Sequence, residues 1–114
     1  MLEFTAAQVR MRQQATDKAA ALALVAQALT EDGLAEATYL EGLRAREQQG
    51  ATYLGQGVAI PHGTPDSRAA VRQTGVCLLH FPDGVVWDGE HRVYLAVGIA
   101  AQSDEHLGIL QALT

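Results

Sequence analysis

Val93-Tyr94-Leu95-Ala96-Val97-Gly98-Ile99-Ala100 is apolar at nearly every position, so a strand there would present apolar side chains on both faces. Such a strand needs cover on two sides, which is the situation of an inner strand in a layered α/β domain. Gly75 to Phe81 reads the same way. Between these runs, Pro82-Asp83-Gly84 and Asp88-Gly89 are turn signals bracketing Val85-Val86-Trp87. Further upstream, Tyr53-Leu54 and Val58 to Ile60 are strand-like.

Before Gly50 the period is helical. Thr16-Asp17 opens a helix whose Leu22, Val25 and Leu29 share one face, with alanines elsewhere that allow close approach to a sheet, until Glu31-Asp32-Gly33 ends it. A second helix is expected from about Ala35 to Gln49, with Tyr39, Leu40 and Leu43 inward and Gly50 as its stop. Ala7 to Arg12 alternates weakly and predicts a short first strand. At the other end Ser103 is an N-cap, Asp104 and Glu105 suit the first turn, and Leu107, Leu110 and Leu113 mark an apolar face. That pattern is still running at Thr114, so the sequence is expected to be cut within a larger domain. The reading is one α/β domain over residues 1–114, a mixed β-sheet flanked by helices, lacking its closing elements at the carboxyl end.

The 114 residues are 48% hydrophobic, enough for a core that buries roughly two thirds of the unfolded surface. A net charge of −5 without a basic face speaks against nucleic acid and against anionic membrane surfaces. No signal peptide is visible at Met1-Leu2-Glu3-Phe4, and Val93 to Ala101 is about half the length of a membrane span. Cys77 is the only cysteine, which excludes an intramolecular disulfide and fits a reducing cytoplasm; Val76, Leu78 and Leu79 around it predict a buried, inert thiol.

The chemistry concentrates around Ala59-Ile60-Pro61-His62-Gly63. Pro61 ends the strand and favours an extended Ile60, placing His62 at a strand end, and Gly63 permits unusual backbone angles and close approach. The alternative is a surface histidine in a turn. His106 would lie in the first turn of the helix that Ser103 caps, where the helix dipole disfavours a charged ring and free N–H groups can receive an anion, while Asp104 and Glu105 oppose the first effect. Both imidazoles share one sheet end if the strand carrying His62 lies beside Val93 to Ala100. Arg46 and Glu47 fall on the apolar side of the second helix, an unexpected place for a charged pair; the alternative is a solvated helix end. A neutral imidazole as nucleophile, a second imidazole to orient it and a guanidinium for phosphate oxygens would form one device. His80 and His91 read as structural or solvent-facing. No metal is expected, because HxH, HxxxH and HExxH spacings are missing, and Gly55-Gln56-Gly57 without a third glycine or a Walker lysine gives no nucleotide site.

Arg46-Glu47, the run Ala51-Thr52-Tyr53-Leu54-Gly55-Gln56-Gly57-Val58-Ala59-Ile60-Pro61-His62-Gly63-Thr64, then Phe81 to Trp87 and Gly98 to Leu107, resemble the enzyme IIA domains of the bacterial sugar phosphotransferase system, fructose/mannitol type. Details of the loop favour the fructose branch, and the nitrogen-regulatory branch fits less well around Gly63-Thr64. The resemblance implies a phosphoryl relay without cofactor, metal or nucleotide: His62 accepts the phosphoryl group on Nε2 from a phosphohistidine carrier protein and passes it to a cysteine of an enzyme IIB partner. It implies His106 as the second active-site histidine and Arg46 as the arginine near the phosphate. It also implies fusion to further domains, and an apolar face left open where the family's closing elements are missing, through which copies could associate. A regulatory module of the same fold and a non-catalytic ligand-binding domain are the competing readings.

Overall fold

The computed structural model describes residues 9–102. Among them five strands form one mixed sheet: β1 (Val9–Arg10), β2 (Tyr53–Gly55), β3 (Val58–Ala59), β4 (Gly75–Asp88) and β5 (His91–Ala100), in the order β1-β4-β5-β3-β2. β1 runs parallel to β4, β4 antiparallel to β5, β5 parallel to β3, and β3 antiparallel to β2. The two apolar runs with which the sequence reading begins are therefore two of the three inner strands.

The helix α1 (Lys18–Glu31) begins where Asp17 accepts a hydrogen bond from the Ala20 amide at 2.8 Å. It ends on Gly33 at φ 75°, with Gly33 N–H bonded to Thr30 O and Leu34 N–H to Leu29 O, the paired closure that a left-handed glycine allows. Val25 and Leu29 are wholly buried against the sheet and contribute about 1.5–3 kcal/mol each. Gly98 makes the approach possible: a Cβ there would stand 2.5 Å from Val25 Cγ1.

The second helix, α2 (Tyr39–Gln49), starts four residues later than Ala35, the expected start. Ala35 instead bridges Val71, and Glu36 N–H bonds Ala70 O, so these residues are held extended by a distant segment and are lost to the helix. Two further expectations change. Pro82-Asp83-Gly84 does not reverse the chain; it lies in a bulge inside β4, where the register moves from His80 opposite Leu95 to Val85 opposite Val93, with Gly84 at φ 74°. Asp88-Gly89 does form the hairpin turn into β5. Gly55-Gln56-Gly57 belongs to the β2–β3 hairpin, with Gln56 at φ 53° and Gly57 at φ 81°.

One core lies between the sheet and the helices, from Leu29, Leu43, Cys77, Leu79 and Phe81 to Trp87. The opposite sheet face carries Ile60, Val76, Val97, Ile99 and Ala101. These five are buried, and Val58, Leu78 and Leu95 pack against them half-buried, while the expected open face at the missing closing elements falls outside the described residues. No helix among the described residues is long and apolar enough to cross a membrane.

Candidate active site

Because β3 and β5 are parallel neighbours, pairing Val58 with Leu95 and Ala59 with Ala96, their carboxyl ends meet at the same edge of the sheet. Ligands of open α/β sheets bind outside such ends. Beyond β3, Ile99 N–H bonds Pro61 O at 2.9 Å and His62 forms an isolated parallel bridge with Ile99, so the turn carrying His62 is strapped to the last residues of β5.

Within that turn His62 Nδ1 lies 3.0 Å from the carbonyl of Ile60. A carbonyl can only accept, so Nδ1 carries a proton, and in the neutral ring Nε2 is then the nitrogen with the lone pair. Pro61 restricts the backbone of Ile60, whose carbonyl meets the ring two residues on. Gly63 fulfils half of its expected role. Its φ is not in the left-handed region, but a Cβ there would sit 2.2 Å from Ser67 Oγ and 2.7 Å from Tyr39 Cε1, so close approach is what it provides.

His62 opens onto a cleft of about 270 Å³ shared with Tyr39, Arg46, Gln49, Thr64, Arg68 and Ala101. Arg46 comes from the last turn of α2, with Nη1 bonded to Gly50 O at 2.6 Å, and its fork retains donors for a ligand. Tyr39, at the start of the same helix, donates to Ile99 O at 2.9 Å and accepts from Gly63 N–H at 3.0 Å. Burial raises the pKa of this phenol, against the opposing pull of the Gly63 amide and the positive charge of Arg68. In a chain of net charge −5, two guanidinium groups on one small cleft with a half-buried imidazole make a local site for a dianion.

The structure thus brings His62 and Arg46 together. His106 and its cap Ser103 lie outside the described residues. Glu47 does not belong to a solvated helix end: it is buried, accepting from the amide and hydroxyl of Thr52, from Trp87 Nε1 and from Lys18 Nζ. Its charge is tolerated on the core side because four donors meet it.

Arg68 is the site residue that the sequence reading misses. It rides on a 3-10 turn, Pro65–Ala70, in which residues three apart stand one above the other. A proline after the extended Thr64 is the signal that a helical turn starts there and returns Arg68 to the side of Pro65. Of the other histidines, His91 is exposed and stacks on Tyr53 at 4.6 Å between centroids, and His80 is half-buried with Nδ1 unpartnered. Cys77 is buried, and desolvation pushes its thiol up to about 12, in keeping with an inert role. No cluster of three or more His, Cys, Asp or Glu able to hold a metal ion occurs among the described residues.

Residues 3–114 match the family model described as phosphoenolpyruvate-dependent sugar phosphotransferase system, EIIA 2. The multiphosphoryl transfer protein of Vibrio cholerae is 52% identical over 114 residues, covering 100% of this chain and 28% of that protein. The Escherichia coli O157:H7 protein of the same name is 46% identical, over 100% of this chain and 30% of its own length. The chain therefore spans less than a third of these relatives. Among solved structures, the mannitol IIA of Escherichia coli superposes with a TM-score of 0.93 at 30% identity, over 99% of this chain and 82% of that one. The complex of enzyme IIA with phosphorylated enzyme IIB from Escherichia coli matches at a TM-score of 0.92 and 30% identity, over 97% and 78%. The strand-end histidine, the arginine beside it and the mixed sheet that aligns them thus occur in a chain that belongs to the EIIA type 2 family of the phosphoenolpyruvate-dependent sugar phosphotransferase system.

Proposed function

We propose that this chain carries phosphoryl groups on His62, taking them from a phosphohistidine carrier protein and passing them to a cysteine of an enzyme IIB partner in the uptake of a fructose-like sugar. The observation that carries the reading is the 3.0 Å contact of His62 Nδ1 with Ile60 O, which assigns the proton of the neutral ring to Nδ1 in an imidazole that lines a cleft with Arg46 and Arg68.

In the forward step Nε2 attacks phosphorus as the nitrogen–phosphorus bond to the carrier breaks, and the electron pair of that bond returns to the carrier's imidazole. In the second step the thiolate of the partner cysteine attacks phosphorus, and the bond to Nε2 breaks. Such transfers have a loose, in-line transition state, so the protein's task is to align and to offset charge on the three oxygens. Arg46 and Arg68 are suited to that by their planar donors. His106 acts as the second imidazole that orients the first. No metal or nucleotide takes part in this domain. The relay runs in the cytoplasm, where phosphoenolpyruvate is made.

Similarity to an enzyme IIA solved with phosphorylated enzyme IIB supports this partner. Identity of 52% to a multiphosphoryl transfer protein, against 35% to the mannitol-specific component of Pasteurella multocida, supports a branch other than mannitol. A regulatory role draws support from the nitrogen regulatory IIA of Neisseria meningitidis, 29% identical with a TM-score of 0.76. A sugar permease encoded beside this chain favours transport, and a fused DNA-binding domain favours regulation.

The test is incubation with phosphoenolpyruvate and the general carrier proteins, read by intact mass. The wild type gains one acid-labile phosphoryl group, His62→Gln gains none, and His106→Ala gains it slowly while remaining folded. Normal labelling of His62→Gln refutes the reading.

A further inference from the structure

Glu47 is next to Arg46 in sequence, yet its carboxylate is in the core, with the side chain 4% exposed. A buried carboxylate often adds no stability over an apolar residue of the same shape, so what Glu47 contributes is sought in the direction of its hydrogen bonds. The direction is visible in its partners. Oε1 accepts from Thr52 N–H at 3.2 Å and Oε2 from the Thr52 hydroxyl, so both donors of one residue are clamped by both oxygens of one carboxylate. Thr52 in turn offers its carbonyl to Ile60 N–H at 3.0 Å, and the carbonyl of Ile60 is the group that accepts from His62 Nδ1 at 3.0 Å.

We infer that Glu47 is a positioning residue for His62, acting through Thr52 and Ile60 to hold the carbonyl that keeps the imidazole proton on Nδ1. The inference rests on the reading of His62 as the phosphoryl acceptor and deepens it. An unconstrained histidine in water favours the proton on Nε2, which would block the attacking nitrogen. The nucleophilic tautomer therefore depends on the Ile60 carbonyl staying in place. Ile60 lies past the end of β3, and its amide is tied not to the ladder but to Thr52. The other two donors on Glu47, Trp87 Nε1 at 3.2 Å and Lys18 Nζ at 3.4 Å, share Oε1 with the Thr52 amide, but neither is itself a link between the carboxylate and His62. Trp87 therefore serves the test as its control, a donor to the same carboxylate outside the links that run through Thr52 and Ile60.

The full chain is labelled with 15N in its histidine rings and compared as wild type, Glu47→Gln, Thr52→Val and Trp87→Phe, with melting temperature and phosphorylation kinetics measured in parallel. In the wild type Nδ1 of His62 resonates as a protonated nitrogen and Nε2 as a bare one, well separated. In Glu47→Gln and Thr52→Val the two shifts draw together, and the maximal phosphorylation rate falls about tenfold, the loss typical of outer partners that orient a histidine, with KM for the carrier unchanged. Trp87→Phe melts earlier but keeps the wild-type ring shifts and rate. Wild-type shifts in folded Glu47→Gln and Thr52→Val overturn the inference, as does an equal disturbance in Trp87→Phe, which would make the effect general loosening. If Glu47→Gln does not fold, Thr52→Val decides. The ring shifts need no phosphoryl donor, so a wild type left unlabelled at His62 sinks the functional reading while the shifts still judge the positioning chain.

Discussion

The phenol of Tyr39 accepts a hydrogen bond from the backbone amide of Gly63 at 3.0 Å, tying the first turn of α2 to the residue that follows His62. The same oxygen donates to Ile99 O, so three segments far apart in sequence meet on one hydroxyl at the sheet edge. The ring also packs where a side chain at Gly63 would have to go. The site is thus held by a polar contact and by the absence of a methyl group in the same place.

Tyr39→Phe should destabilise the domain by about 1–3 kcal/mol, because the ring still fills its place while the Gly63 amide and the Ile99 carbonyl lose their partner. Phosphorylation of His62 should slow in the same variant. Urea unfolding followed by circular dichroism and single-turnover labelling check the two effects; unchanged values for both would mean the hydroxyl is dispensable.

Arg68→Gln should lower the phosphorylation rate by about tenfold, at or below the low end for losing one donor to a charged transition state. Its effect on the melting temperature should be small, because the residue is half-exposed on a short turn. Arg68→Lys should recover only part of the rate, since an ammonium lacks the planar fork. Stopped-flow transfer from the phosphorylated carrier measures the difference.

Gly98→Ala should cost about 1–3 kcal/mol, as its new methyl would meet Val25 Cγ1 at 2.5 Å and Cys77 Sγ at 3.0 Å under a tightly packed helix. Adding Val25→Ala should restore part of that loss, although Val25→Ala alone destabilises. A double-mutant cycle by denaturant titration reads the coupling, and strict additivity would show that the helix does not bear on that glycine.

Alkaline stability should fall between about pH 9 and pH 12. The Cys77 thiol is neutral in the fold until its raised pKa of about 12, whereas in the unfolded chain it ionises near 9.0. Between these values the native state holds the proton and the unfolded state does not, so stability declines as pH rises. Tyr39, also raised by burial, adds loss of the same sign above its ordinary 10.0. Cys77→Ala should reduce the slope without abolishing it, as measured by thermal melts across that range. At pH 8 the wild-type thiol should resist iodoacetamide until the protein is unfolded.

Much of this architecture is written in short stretches of chain. Asp17 and Gly33 mark the ends of α1 within a residue or two because caps are local hydrogen-bonding events. The two-sided apolar runs around Cys77 and Val97 name the central strands, since only inner strands need cover on both faces. Pro61 places His62 at a strand end, a matter of backbone sterics in one dipeptide.

Pairing across the sheet decided the rest. Nothing in Val58-Ala59 says that β5 will lie parallel beside it, and that adjacency puts His62 next to the last residues of β5. The turn signal at Pro82-Asp83-Gly84 became a bulge because Val85 found Val93 across the ladder, and Ala35 left its helix because Val71 claimed it. Arg68 entered the cleft, and Glu47 left the solvent, through contacts with segments distant in the chain. Sequence by itself determined the long strands, both ends of α1 and the strand-end position of His62, all set by interactions within a few residues. Only tertiary structure decided which groups surround that imidazole, because hydrogen bonds and packing between remote segments are satisfied only once the whole sheet has assembled.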